Sequence, residues 1–300
     1  MRIDEANRVL AEVAPGGVAL EVTKLLGGVS ALTESIRFQT TEGVERRLVV
    51  RRPTEYLRTL DPGGLEREWT MLGLAQHGGI AVPERIHFDA RGELLGEPCM
   101  IVEHIDGEAI FAVDDVVSYG RQMGLALAGV HALPAAELVN LRSINAPSPM
   151  SREETDEVLA AARARVLAWE NWGNERLAVL HGDFWPGNLL WRDGRLVAII
   201  DWEDACLGDP LSDVAISRLD LLWLFGDEAV ASFTEAYGSR CAIDPERLAL
   251  WDLRAALRPG TQLPMWAGAY ADKGRADVTA EHMRIKQLRF AADALERART

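Results

Sequence analysis

Three cysteines in 300 residues, Cys99, Cys206 and Cys241, are too few and too far apart to staple a fold. No CxxC pair and no Cys/His cluster at zinc spacing accompanies them, which argues against a disulfide framework and a structural metal. No apolar run approaches the roughly 20 residues that cross a bilayer. The opening MRIDEANRVL carries acids where a secretory signal has its apolar stretch. Basic residues are also in the minority. Lys and Arg number 32 against 46 Asp and Glu, a formal charge of -14. That excess is a poor match for a general nucleic-acid binder, which needs clustered cations to neutralise phosphates. It is compatible with a cationic substrate, although an acidic balance is too common to discriminate. The expected setting is therefore the cytoplasm, with neither membrane nor nucleic acid as partner, and a monomer or homodimer.

What remains is an ordinary globular mixture, 48% hydrophobic and 26% charged, with no repeat and no low-complexity tract. The first hundred residues read as strands with one helix. Strand-like runs cover Leu25 to Gln39 and Arg46 to Arg52, with a turn at Thr41 to Gly43. LEREWTMLGLAQ, from Leu65 to Gln76, has helical periodicity, with Leu65, Trp69, Leu72 and Leu74 near one face, and Gly78-Gly79 stops it. A further strand region runs from Pro83 to Val102. After Asp106-Gly107 the character changes. Helices are expected over Asp114 to Leu133, from a Ser151 cap onward, and from Ala280 onward with Ile285, Leu288, Ala292 and Leu295 as its apolar stripe. The expected organisation is α+β, with a β-rich lobe over residues 1–103 (a sheet plus one helix) and a mostly helical lobe over 104–300.

The segment LHGDFWPGNLLWRDGRLVAIIDWEDACLGDPLSD, Leu180 to Asp213, carries the chemistry. Asp193-Gly194 between two apolar runs signals a two-residue type I′ hairpin. That turn puts Arg192 opposite Arg195 and Asn188 opposite Ile199, so Asn188 and Asp201 are diagonal neighbours on one face. An amide oxygen and a carboxylate there suit a hard cation, and Mg²⁺ completed by phosphates fits best. Asp183 precedes Asn188 by five residues, with Pro186-Gly187 bending the chain between them. One carboxylate able to accept a proton and two oxygen ligands for a metal are the minimal equipment for phosphoryl transfer.

The spacing H-x-D-x-x-x-x-N at His181, Asp183 and Asn188 resembles the kinase catalytic loop. The HGD form, with Ile200-Asp201-Trp202-Glu203 and then GDPLSD, resembles the aminoglycoside phosphotransferase and choline kinase group. This resemblance implies a two-lobed protein-kinase-like fold and a small-molecule kinase. Asp183 would deprotonate the acceptor hydroxyl, and Asn188 and Asp201 would hold Mg²⁺. Asp213 would anchor the loop, with His181 packed beneath it. The donor would be ATP or GTP, and the acceptor a small hydroxylated molecule that is aminoglycoside-, macrolide- or metabolite-like.

Upstream, Leu26-Gly27-Gly28-Val29-Ser30 resembles the family's glycine loop over the phosphates. Arg51 stands where the classical members have a phosphate-binding Lys, and Arg is not equivalent to Lys there. Glu68 matches the helix Glu that would pair with it, in competition with Glu66. Glu103 and His104 match the crossover whose backbone meets the base. Read without the resemblance, the glycine pair is equally an ordinary turn, and Arg51 a surface strand residue. Trp223, Trp251 and Trp266 are candidates for lining an acceptor pocket. A nucleotide-binding regulatory module without turnover is the alternative function.

Overall fold

In the run Glu45–Pro53 every second side chain from Leu48 onward is buried, so Leu48, Val50 and Arg52 share one face of the strand and Arg51 points to the other. That alternation sets the frame of the amino-terminal half in the computed structural model, which describes residues 1–25, 31–135, 143–144, 156–169, 172 and 177–298. The chain divides into two compact units. The first is Met1–Asp106 with Ala198–Glu203, and the second is Gly107–Val197 with Asp204–Thr300.

The first unit is a five-stranded antiparallel sheet in the order β1-β2-β3-β5-β4. Its strands are β1 (Val18–Lys24), β2 (Ala31–Gln39), β3 (Glu45–Pro53), β4 (Arg85–Asp89) and β5 (Cys99–Glu103). Gly43, at φ 80°, turns the chain from β2 to β3. Three helices accompany the sheet rather than the single one expected: α1 (Ile3–Val13), α2 (Glu55–Leu60) and α3 (Gly64–His77). α1 forms because Asp4 and Glu5 favour its first turn and Ala6, Val9 and Leu10 make a buried stripe. These three side chains join Ile36, Phe38, Leu48, Val50 and Ile101 in the core. α2 has six residues and buries none, so it leaves no periodic trace; the Thr54 hydroxyl caps it. α3 covers the expected helix, and its buried face includes Glu68, Met71 and Leu72, while Glu66 is exposed.

The second unit is mostly helical: α4 (Val116–His131), α5 (Glu157–Ala168), α6 (Leu211–Phe225), α7 (Asp227–Gly238), α8 (Pro245–Leu257), α9 (Leu263–Ala271) and α10 (Ala280–Arg297). α4 meets α7 through Gly120 and Gly124, where a Cβ would collide with the carbonyl oxygens of Ala229 and Phe233. The Ser151 start lies outside the described residues, and α5 is capped by Asp156. α10 is in place, but its buried face is Met283, Gln287, Phe290, Ala291 and Ala294, whereas Ile285 is 61% exposed. Gln287 can turn inward because its Nε2 donates to Ala256 O at 2.6 Å. A small sheet joins β6 (Ser143–Ile144), β10 (Cys206–Gly208) and β7 (Ala178–Leu180). β8 (Leu189–Arg192) and β9 (Arg195–Ile199) form a hairpin. Asp193 and Gly194 both have positive φ, as a type I′ turn demands. Among the described residues no helix is long and apolar enough to cross a membrane.

Candidate active site

In the first unit, Arg51 on β3 gathers three carboxylates. Its Nε donates to Glu68 Oε2 of α3 at 3.0 Å, and its Nη2 to Asp201 Oδ1 at 2.5 Å and Glu203 Oε2 at 2.7 Å. Burial opposes the Arg51 charge, but the three acids outweigh it and raise its pKa. Burial pushes the Glu68 carboxyl up to about 7, although Arg51 pulls the other way. With all three acids ionised, the cluster keeps two negative charges in excess. Asp201 sits at φ 65°, a left-handed conformation that Asp tolerates. Trp202 beside it is buried and donates its indole N–H to Ile199 O at 3.2 Å, which pins the turn.

Arg51 is thus not a surface strand residue, and Glu68 rather than Glu66 is its helix partner. Lysine is scarce: Lys24, Lys273 and Lys286 are the chain's three. Glu103 is exposed, and its carboxylate accepts from the Glu84 amide at 3.2 Å. His104 follows, its pKa lowered by burial and by Arg47. Gly27, Gly28 and Ser30 lie outside the described residues.

In the second unit the loop His181–Asn188 is tied from several sides. The buried Asp213 carboxylate accepts from the His181 amide at 2.8 Å and the Gly182 amide at 3.2 Å. His131 meets the same carboxylate at 3.3 Å. Gly182 has φ 84°, and a Cβ there would collide with Asp204 O, so only glycine fits. His181 is fully buried; its Nδ1 accepts from the Asp183 amide at 3.3 Å and its ring packs on Phe184. Ser217 holds Phe184 O at 2.6 Å.

Asn188 ends a 3-10 turn, Pro186–Asn188, one residue before β8. The strand expected from Asn188 begins at Leu189 instead, because Pro186 starts a helical turn. What orients Asn188 is Asp183: its Nδ2 donates to Asp183 O at 2.9 Å and to Asp183 Oδ2 at 3.1 Å. The amide oxygen is left as the acceptor end. On its other oxygen, Asp183 Oδ1 accepts from Arg258 Nη2 at 3.1 Å.

A cavity of about 320 Å³ opens at Asp183, lined also by Asp209, Trp251, Arg254 and Arg258. Asp209 is engaged by Arg247, by Trp251 Nε1 at 2.7 Å and by the Leu211 amide at 3.0 Å. Of the three tryptophans considered, Trp251 lines the cavity and Trp266 lies under Arg258 at 5.3 Å. Trp223 is core, bonded to Met283 O. Arg254, Arg258 and the buried Asp220 had no signal in motif spacing, because α6 and α8 bring them in from distant sequence. Among the described residues, no group of three His, Cys, Asp or Glu forms a metal cluster.

The profile of a family described as the phosphotransferase enzyme family matches residues 21–251. Homoserine kinase of Methylocella silvestris is 26% identical over 178 residues, covering 54% of this chain and 55% of that protein. Acyl-CoA dehydrogenase family member 10 of Mus musculus is 24% identical over 198 residues, 58% of this chain but 18% of that protein. The chain thus spans about half the length of one curated relative and under a fifth of the other. An aminoglycoside phosphotransferase solved in ternary complex with AMP-PNP and hygromycin B superposes with a TM-score of 0.60 at 16% identity, over 97% of both chains. That likeness shows the protein-kinase-like fold.

Proposed function

Because the chain belongs to the phosphotransferase enzyme family, we propose that it moves the γ-phosphoryl group of a magnesium-bound nucleoside triphosphate, ATP or GTP, onto a hydroxyl of a small acceptor. The observation that carries this reading is the Asp183 carboxylate, held by Asn188 and Arg258 at the wall of the small-molecule-sized cavity. Asp183 accepts the acceptor's proton as that oxygen bonds to the γ-phosphorus and the bond to the β-phosphate oxygen breaks, releasing the nucleoside diphosphate. The residues fit a magnesium ion: Asp201 and Glu203 offer carboxylate oxygens in an acid-rich cluster, and Asn188 presents its amide oxygen. In this reading Asn188 and Asp201 hold the ion, which neutralises phosphate charge when bound.

Arg51, oriented by Glu68, serves the phosphates as a fork-shaped donor in place of a lysine. Gly27, Gly28 and Ser30 would cover those phosphates with backbone amides, and the Glu103–His104 backbone would meet the base. Residues 1–103 serve the nucleotide, and 104–300 supply the catalytic loop, the metal site and the acceptor pocket. Relatives named for homoserine and a structural neighbour holding AMP-PNP and hygromycin B support a nucleotide donor and a hydroxylated acceptor. A cytoplasmic setting suits both.

The test is an acceptor screen that follows nucleotide consumption against phosphorylated product by mass, with Asp183→Asn alongside. Product that requires magnesium and disappears in Asp183→Asn supports the reading. Magnesium-dependent nucleotide binding with no transfer to any acceptor would instead make the chain a regulatory module.

A further inference from the structure

Arg254 stands four residues before Arg258 near the end of α8 and lines the cavity at Asp183. Its neighbours are accounted for. Arg218 holds Asp252 at 3.1 Å, Arg247 holds Asp209, and Arg258 spans Asp183 and Asp220. For Arg254, no side-chain hydrogen bond or ion pair is found among the described residues, and its Nε is buried with no partner. Burial and the adjacent Arg258 both lower its pKa, so the site disfavours the charge as it stands. The terminal nitrogens of its guanidinium are not among the buried atoms, so an anion that enters the cavity Arg254 lines can pair with them.

The acids at the same wall do not supply that partner. Asp209 is taken by Arg247 and Trp251, Asp213 by the loop amides, Asp183 by Arg258 and Asn188, and Asp204 is exposed. These four carboxylates also repel a doubly charged phosphate more than a singly charged carboxylate. The volume of about 320 Å³ lies at the small end of the roughly 300–1,000 Å³ typical of ligand sites.

We propose that the acceptor is a small hydroxy acid or hydroxy amino acid whose carboxylate pairs with Arg254 while its hydroxyl lies at Asp183. The proposal rests on the phosphotransferase reading and names the acceptor class for that same cavity. An Arg–carboxylate pair there is charge-assisted and can be bidentate.

The experiment uses matched pairs with magnesium and nucleotide: glycerate against glycerol, and homoserine against aminopropanol. Phosphorylated product and direct binding by calorimetry are both read. The wild-type protein is expected to prefer the carboxylate member of a pair at least tenfold in kcat/KM. In Arg254→Gln the preference should fall toward unity, mainly through KM, and Arg254→Lys should retain part of it. Because Arg254→Gln removes a half-buried cation with no ion-pair partner among the described residues, its thermal midpoint should not fall, which separates lost recognition from lost folding. Equal use of the neutral members, or an unchanged preference in Arg254→Gln, overturns the proposal, as does a panel whose carboxylates neither bind nor react. Carboxylates that bind through Arg254 without phosphoryl transfer overturn the acceptor assignment, while the kinase reading itself falls only if no acceptor in the wider screen is phosphorylated.

Discussion

Arg258 reaches two carboxylates at once, with Nη2 3.1 Å from Asp183 Oδ1 and Nη1 3.8 Å from Asp220 Oδ2. One guanidinium therefore orients the proposed base and lies beside a buried acid. Asp183→Asn keeps the shape and the Asn188 contact but cannot take a proton. Loss of a general base costs about 10²–10⁴-fold, so kcat should fall by that order with little change in nucleotide KM. Arg258→Gln should give an intermediate loss, since it misplaces the base without deleting it. Steady-state kinetics with an identified acceptor would decide this, and undiminished turnover in Asp183→Asn would remove that residue from its role.

Asp220 makes stability depend on pH. Burial pushes its carboxyl from 3.8 up to about 7, with Arg258 opposing and Asp183 adding to the rise. In this range the folded state holds a proton that the unfolded state has lost. The contribution is therefore full below about pH 4 and declines as pH rises toward 7, by at most about 1.4 kcal/mol per pH unit for one proton. Asp220→Asn carries no such proton. Its stability relative to the parent should rise from pH 4 to pH 7 and level off above, in denaturant titrations at each pH. A flat difference would show that Asp220 is ionised throughout.

Gly182 is a backbone requirement rather than a chemical one. At φ 84°, with Asp204 O where a Cβ would be, Gly182→Ala must move the loop whose amides bind Asp213. The expected result is a lowered melting temperature and a large fall in kcat, with nucleotide affinity little affected. A variant as stable and active as the parent would mean that the loop accommodates the methyl group.

Local spacing made Asp183, Asn188 and Asp213 legible, because one loop and one following helix carry them. The hairpin was legible too, since Asp193-Gly194 specifies its own turn. Helix periodicity found α3, but only packing chose Glu68 over Glu66, as both are plausible on a bare helix. In α10 hydropathy alone selects the wrong face: Gln287 goes inward because its amide is bonded to Ala256 O and Arg284, and Ile285 stays out. Arg254, Arg258 and Asp220 belong to tertiary structure. Nothing in their own segments distinguishes them from surface charges until α6 and α8 meet at the cavity wall.

Arg51 offers the sharpest test of the nucleotide side. It is the cation for Glu68, Asp201 and Glu203, with only 11% of its side chain exposed. Arg51→Met removes that charge and leaves Glu68 buried without its partner. Breaking a buried pair from one side typically costs about 3–5 kcal/mol, so a destabilisation of that order is expected in chemical denaturation. The same substitution removes a competing cation from Asp201 and Glu203. Magnesium should therefore raise the melting temperature of Arg51→Met more than that of the parent, since a ligand stabilises the state that binds it. Adding Asp201→Ala to Arg51→Met should abolish the difference, and Asp201→Ala alone should weaken magnesium-dependent nucleotide binding. If magnesium stabilises the Asp201→Ala variants as much as their parents, the carboxylate of Asp201 is not a ligand and the metal assignment must move elsewhere.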